Sequence, residues 1–122
     1  IVIGEGSSGG ALALGVTDII IMLENAVYSI LSPEGFASIL YKDASKSQEA
    51  AEKMKITSTE LKRLGVIDSI VKEPEGGAQE DFKKVCNDLK NMILKDINRL
   101  SKKSQEELVE QRYEKYRKIG GI

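Results

Sequence analysis

The opening stretch IVIGEGSSGG sets glycines and serines at spacings that three kinds of chemistry use. Gly4, Gly6 and Gly9 fit G-x-G-x-x-G, a turn whose small residues let backbone N–H groups approach a dinucleotide pyrophosphate. Gly6, Ser8 and Gly10 fit G-x-S-x-G, the strand-to-helix turn that presents a nucleophilic serine. A third use needs no side chain: the consecutive N–H groups of Gly9 and Gly10, at a helix start, form a hole for a developing oxyanion.

The three uses differ in what the rest of the chain must supply. A dinucleotide site wants a carboxylate about twenty residues on, and Glu24 stands there at the end of an apolar run. The segment between Gly9 and Asp18 is short for a crossover helix, however, and a second strand follows almost at once, so Glu24 reads better as an exposed turn carboxylate. A serine nucleophile needs an adjacent base. The chain has no histidine to take its proton, which leaves a lysine or an upstream group as base, against the simpler reading of Ser7 and Ser8 as turn and cap residues. The oxyanion hole asks only for what is visible, and one such donor typically contributes ~2.7 to 4 kcal/mol of transition-state stabilisation. A glycine turn with no catalytic role is the plain structural alternative.

Composition narrows the field further. With 122 residues, 41% hydrophobic and 30% charged, the chain has the make-up of one globular domain with a real core. A net charge of -1 gives no pull toward nucleic acid or anionic membrane, and no apolar run approaches the ~18 residues of a membrane span. The single cysteine, Cys86, forbids an internal disulfide and suits a reducing, cytoplasmic setting. Without histidine, neither a self-contained zinc site nor a Ser-His-Asp triad can be assembled, so no metal ligands are expected. The chain starts directly on the apolar run Ile1-Val2-Ile3, which reads as a fragment of a longer polypeptide whose missing strands would leave exposed edges.

The elements that must position the glycine turn alternate, then become helical. Ile1 to Ile3 reads as a buried strand, and Ala11 to Gly15 as a short helix of small residues. Asp18 to Leu23 and Ala26 to Leu31 read as paired strands separated by the Glu24-Asn25 turn. Ser32-Pro33-Glu34 starts a helix through about Tyr41. Ser45 with Gln48, and Thr57 with Glu60, are spaced as capping boxes for helices over Ser47 to Met54 and Ser58 to Leu64, with Gly65 as terminator. Val66 to Val71 returns to strand composition, and Glu73 to Gly77 is a loop.

From there the pattern is helical. Phe82, Val85, Cys86, Leu89, Ile93, Ile97 and Leu100 make Glu80 to Leu100 an amphipathic helix with Cys86 on its apolar face, a core or subunit-contact stripe. A last helix is capped by Ser104 with Glu107. Its basic residues Arg112, Lys115, Arg117 and Lys118 alternate with glutamates as a mixed-charge solvated face rather than a nucleic-acid patch.

Taken together, GEGSSGGALALG (4–15), YSILSPEGFASIL (28–40), LKRLGVIDSIVKEPEGGA (61–78) and QRYEKYRKIG (111–120) resemble the alpha subunit of bacterial acetyl-coenzyme A carboxylase carboxyltransferase. The resemblance runs through nearly the whole chain, in the family's order, and is to the C-terminal part of that subunit. It implies an α/β fold of the crotonase-like (ClpP/crotonase) type, with a partial strand-strand-helix core over residues 1–79 and a C-terminal helical extension over 80–122.

The resemblance also implies a reaction. Such enzymes move a carboxyl group from biotin on a carrier protein to acetyl-coenzyme A, giving malonyl-coenzyme A for fatty-acid synthesis. Biotin leaves as a ureido anion and the acetyl thioester becomes an enolate, so each needs preorganised donors. On this sequence the Gly9 and Gly10 N–H groups would face the ureido oxygen, with Ser8 and Ala11 shaping the turn. The implied partners are a beta subunit, which carries most of the acetyl-coenzyme A site and a zinc ribbon, and the biotin carboxyl carrier protein, in an alpha2beta2 assembly. Another acyl-coenzyme A enzyme of the superfamily, a decarboxylase or hydratase, is the alternative, with a Ser8 hydrolase behind it. Two positions depart from the family pattern: Ser7 replaces a glycine of GEGGSGGA, and Gln79 replaces the histidine of GGAH. The first spares Gly9 and Gly10. The second undermines any essential proton-transfer role for the family's histidine at that position.

Overall fold

A computed structural model describes residues 1–119. Gly120, at the end of the last motif, and the remainder of the expected extension to residue 122 lie outside the described residues. The described chain is a mixed helix and strand structure with two small parallel sheets. Its elements run β1 (Glu5–Ser7), α1 (Ser8–Gly15), β2 (Ile21–Leu23), β3 (Val27–Ser29), α2 (Pro33–Leu40), a 3-10 turn (Ala44–Lys46), α3 (Ser47–Met54), α4 (Ser58–Arg63), β4 (Ser69–Val71), α5 (Phe82–Leu100) and α6 (Gln105–Lys118).

The two adjacent strands do not pair with each other. β3 lies parallel to β1, with Gly6 opposite Tyr28, and β2 lies parallel to β4, with Met22 opposite Ile70. The Glu24-Asn25 turn therefore carries the chain from one sheet to the other instead of closing a hairpin. The expected strand at Ile1 to Ile3 reduces to one bridge, Val2 beside Met22, held by Val2 N–H to the Ile21 carbonyl at 2.8 Å and Leu23 N–H to the Val2 carbonyl at 2.9 Å. It is not a buried strand, since Ile1 and Ile3 are exposed on either side of Val2. Pairing with β3 instead begins inside the glycine turn, where Gly6 leaves room for the Tyr28 ring: a Cβ there would stand 2.9 Å from it.

The core gathers on the β2/β4 sheet. All three β2 residues are buried, together with Ile20, Ala26, Leu61, Ile67, Val71 and Val85. Val85 belongs to α5, whose Leu89, Met92 and Ile93 also pack against this cluster, so the long helix shares the core of the strands. Its buried stripe is narrower than its apolar composition suggests, and Phe82, Cys86 and Ile97 face outward. The expected apolar-face placement of Cys86 is thus corrected: position 86 lies beside the stripe set by Val85 and Leu89. Ser58 is the one buried polar residue of the core among the described residues, and its hydroxyl donates to the Glu24 carbonyl at 2.6 Å.

Local signals at the helix starts fare unevenly. Ser32 caps α2 through the Gly35 N–H at 3.2 Å, and Ser104 with Glu107 forms a reciprocal capping box on α6. The Ser45–Gln48 and Thr57–Glu60 boxes do not form. Asp43 takes the Ser45 N–H and hydroxyl instead, at 3.0 and 2.6 Å, and turns the chain through the short 3-10 segment before α3. Gly65 ends α4 with φ of +73°, a conformation a side chain would strain. Asp81, rather than Glu80, starts α5 by accepting the Lys84 N–H at 3.0 Å.

Candidate functional site

β1 runs directly into α1, so the glycine turn is the junction of strand and helix. Ser7 is the capping residue but its side chain caps nothing, and Ser8 opens the helix at φ +69°. Gly9 and Gly10 follow in the first turn, both exposed, and their N–H groups find no acceptor among the described residues. These are the donors that a helix N-terminus leaves open, with the positive end of the helix dipole behind them. Ala11, half-buried, comes next. The four residues singled out from sequence thus stand consecutively on one helical turn.

Nothing in the chain itself asks for glycine at positions 9 and 10. Neither has a positive φ, and a Cβ built on either would meet no atom within 4 Å. Glycine in a helix costs roughly 0.5–1 kcal/mol relative to alanine, so two in the first turn of α1 are a local loss without a local return. Gly6 and Gly15 contrast with them. A side chain at Gly6 would meet the Tyr28 ring, and one at Gly15 would run into the Tyr28 hydroxyl.

Tyr28 is the side chain on which α1 rests. Its hydroxyl donates to the Ala11 carbonyl at 2.9 Å, and burial, with Tyr116 adding to it, pushes that hydroxyl's pKa up, so it stays protonated as a donor. The same ring borders two cavities. One, of about 190 Å³, is lined by Ser8, Leu12, Tyr28, Ser29, Leu61 and Val66. The other, of about 310 Å³, includes Ile1, Ile3, Leu14, Ile19 and Tyr28 in its wall. Leu12 and Leu14 are exposed, and α1 buries no side chain.

The alternatives weighed on this turn lose their supporting residues. Glu24, at the C-terminal end of β2 where a ribose carboxylate would stand, is engaged by Lys72 at 2.5 Å and by the Glu73 N–H at 3.1 Å. Ser8 has the left-handed φ of a strained serine turn, yet its hydroxyl makes no hydrogen bond with any group among the described residues, so none of these residues is placed as its base. Among the described residues no cluster of three or more acidic, cysteine or histidine side chains could hold a metal, and no described helix is long and apolar enough to cross a membrane. At the two departures, Ser7 pairs with Ser29 in the β1/β3 ladder, and the Gln79 amide donates to the Gly76 carbonyl at 2.5 Å.

The last helix contributes residues that sequence reasoning placed in solvent. Lys115 reaches the Asp68 carboxylate at 2.6 Å and the Asp18 carbonyl at 3.2 Å, and its side chain is only 15% exposed. Arg112 pairs with Asp18 at 3.3 Å, so these two are tethers to the segments flanking β2 and β4 and not part of a solvated face. Tyr116 receives the Thr17 N–H at 3.0 Å, with its own proton facing the carbonyls of Gly15 and Thr17. Its helical spacing from Arg112 and Tyr113 was visible; its partner, about a hundred residues upstream, was not.

Known proteins resemble the chain along its full described length. The family model described as "Acetyl co-enzyme A carboxylase carboxyltransferase-like" matches residues 1–120. A Clostridium acetobutylicum protein named acetyl-coenzyme A carboxylase carboxyl transferase subunit alpha is 58% identical over 120 residues, 98% of this chain and 44% of that protein. Proteins of the same name from Bacillus cereus and Shouchella clausii are 57% and 55% identical over all 122 residues, which cover 38% of each. The chain spans about two fifths of the length of these curated relatives. With the family model matched from Ile1 almost to the last residue, the chain belongs to the acetyl co-enzyme A carboxylase carboxyltransferase-like family.

Proposed function

We propose that this chain is part of the alpha subunit of a biotin-dependent carboxyltransferase, which moves the carboxyl group of carboxybiotin to acetyl-coenzyme A and yields malonyl-coenzyme A for fatty-acid synthesis. The family match and the printed names of the relatives support the reaction class. The observation that carries the site is the pair of exposed glycines, Gly9 and Gly10, with unpartnered N–H groups at a helix start and no conformational or packing need for glycine. A missing side chain there has a use only if something outside these residues must come close to the backbone.

In this reading the biotin ureido group is that ligand. As the bond between its nitrogen and the carboxyl carbon breaks, the electron pair passes to the ureido group, and charge develops on its oxygen. The Gly9 and Gly10 N–H groups meet that charge, and Ser8 and Ala11 hold the turn in shape. The acetyl methyl group of acetyl-coenzyme A gives up a proton, which ends on the ureido nitrogen that the carboxyl group has left, and the resulting enolate carbon forms the new bond to the carboxyl carbon. The partner beta subunit supplies the thioester side of the site and its own zinc ribbon, the biotin carboxyl carrier protein brings the substrate group, and the assembly is alpha2beta2 in the cytoplasm. The fold of the complete subunit is crotonase-like, with residues 1–79 in its core and 80–122 in its C-terminal extension.

The test is the reverse reaction, run on the full-length subunit co-purified with its beta subunit. Malonyl-coenzyme A should lose its carboxyl group only when a biotin derivative is present. Turnover without biotin would move the assignment to another acyl-coenzyme A enzyme, a decarboxylase. Gly10→Pro, which deletes one N–H, should lower the biotin-dependent rate in an assembled complex; a parental rate would remove the turn from the mechanism.

A further inference from the structure

We infer that Tyr116 on α6 and Tyr28 on β3 are positioning residues that clamp the Ala11–Gly15 half of α1 and so set the direction of the Gly9 and Gly10 N–H groups. The inference rests on the proposed oxyanion-hole reading of that turn.

α1 has little of its own to hold it in place. Its sequence, SGGALALG, has glycine at three of eight positions, it buries no side chain, and Ser7 gives it no side-chain cap. A helix this short and this rich in glycine does not persist without external support. Two tyrosine hydroxyls give that support. Tyr28 donates to the Ala11 carbonyl, and its hydroxyl occupies the space a Gly15 side chain would need. Tyr116 holds the same end from the side of α6, taking the Thr17 N–H and facing the Gly15 and Thr17 carbonyls.

Tyr116 is itself held in register. The preceding residue, Lys115, is bonded to Asp68, which also accepts the Ile20 N–H at 2.7 Å, and Arg112 one turn earlier is bonded to Asp18. The ends of the β2/β4 sheet therefore fix α6, and α6 fixes the end of α1. Gly9 and Gly10 lie six and five residues before Gly15 on the same short helix, so a swing at that end moves the donors. Both hydroxyls act through the helix and not on the reacting group.

The test uses Tyr116→Phe in the full-length subunit assembled with its beta subunit, with Tyr28→Phe as a second variant if the first fails to assemble. Amide hydrogen exchange over residues 9–17 should rise about five-fold, the scale of one lost net hydrogen bond, while α5 stays at the parental rate. The kcat for biotin-dependent decarboxylation of malonyl-coenzyme A should fall about ten-fold with KM for malonyl-coenzyme A unchanged, because a 1 Å misplacement of catalytic groups costs as much as ~10²-fold. Unchanged exchange in α1 overturns the clamp. Faster exchange with parental kcat overturns the coupling to catalysis, and the Gly10→Pro variant then identifies the fault. If Gly10→Pro lowers kcat, the hole is real and the tyrosines do not position it; if it does not, the oxyanion reading has failed.

Discussion

Glu24 and Glu73 exchange hydrogen bonds across the ends of β2 and β4: the Glu24 carboxylate accepts the Glu73 N–H at 3.1 Å, and the Glu73 carboxylate accepts the Asn25 N–H at 2.6 Å. The loop after β4 is thus tied to the turn after β2 by two side chains and two backbone donors, and Glu73 braces the loop itself by accepting the Ala78 N–H at 3.0 Å. The carboxylate that a dinucleotide site would have used closes a loop instead.

This exchange carries a pH signature. The hydrogen bond from Lys72, followed by that from the Glu73 N–H, holds the Glu24 carboxyl below its ordinary value of 4.5. A carboxyl lowered on folding contributes stability that is fully present above the unfolded value and is lost as pH falls through the folded one. Urea midpoints of the full-length subunit should therefore drop as pH goes below about 4.5, and Glu24→Gln should flatten that part of the curve so that the two proteins converge in acid. Parallel curves throughout would remove Glu24 from the account.

Gly9→Ala and Gly10→Ala should separate stability from activity. With open space at both positions, each alanine should leave the fold intact and raise stability by about 0.4–1 kcal/mol, through helix propensity and a less flexible unfolded chain. Turnover should fall because the methyl groups stand beside the donors. Thermal melts and biotin-dependent rates on the same preparations check this, and variants that gain stability at full turnover would argue that no ligand approaches here.

Gly15→Ala should behave in the opposite way. The new Cβ collides with the Tyr28 hydroxyl, and overpacking of this kind costs typically 1–3 kcal/mol. Removing that hydroxyl with Tyr28→Phe should recover part of the loss, because the next ring atom lies 3.2 Å from the new Cβ. A double-mutant cycle of denaturation midpoints measures the coupling; additive effects would mean the two positions do not meet.

Lys115→Met keeps the stem of the side chain and removes its charge from Asp68. Because Lys115 is largely enclosed and bonded to both Asp68 and the Asp18 carbonyl, the loss should be about 1.5–3 kcal/mol, the scale of hydrogen bonds to charged groups. An exposed ion pair would lose well under 1 kcal/mol, and chemical denaturation distinguishes the two outcomes.

Ser8 provides a negative test. It has a strained φ but no hydrogen-bonded base among the described residues, so a fluorophosphonate probe should not label it in the assembled enzyme. Stoichiometric labelling at Ser8 would reinstate the hydrolase reading.

The features readable along the chain were those whose causes are local. Ser32-Pro33 starts α2, Ser104 with Glu107 boxes α6, Gly65 stops α4, and the glycine turn sits at a helix start, each through groups within a few residues of one another. Even local signals gave way where a neighbour competed, as Asp43 did for Ser45. The order of motifs carried the family, because a resemblance depends on residue identities and needs no contacts.

Sequence by itself determined the alternation of short strands and helices, the helical second half, the glycine turn at a helix start and the lack of histidine in these 122 residues. Tertiary structure decided which strands pair, which side of α5 is buried, and that Tyr116 and Lys115 face inward to Gly15 and Asp68. The physical reason is separation along the chain. A cap or a turn forms between atoms already held together by a few covalent bonds, whereas a parallel strand pair or a tyrosine clamp joins residues whose only link is the packing of everything between them.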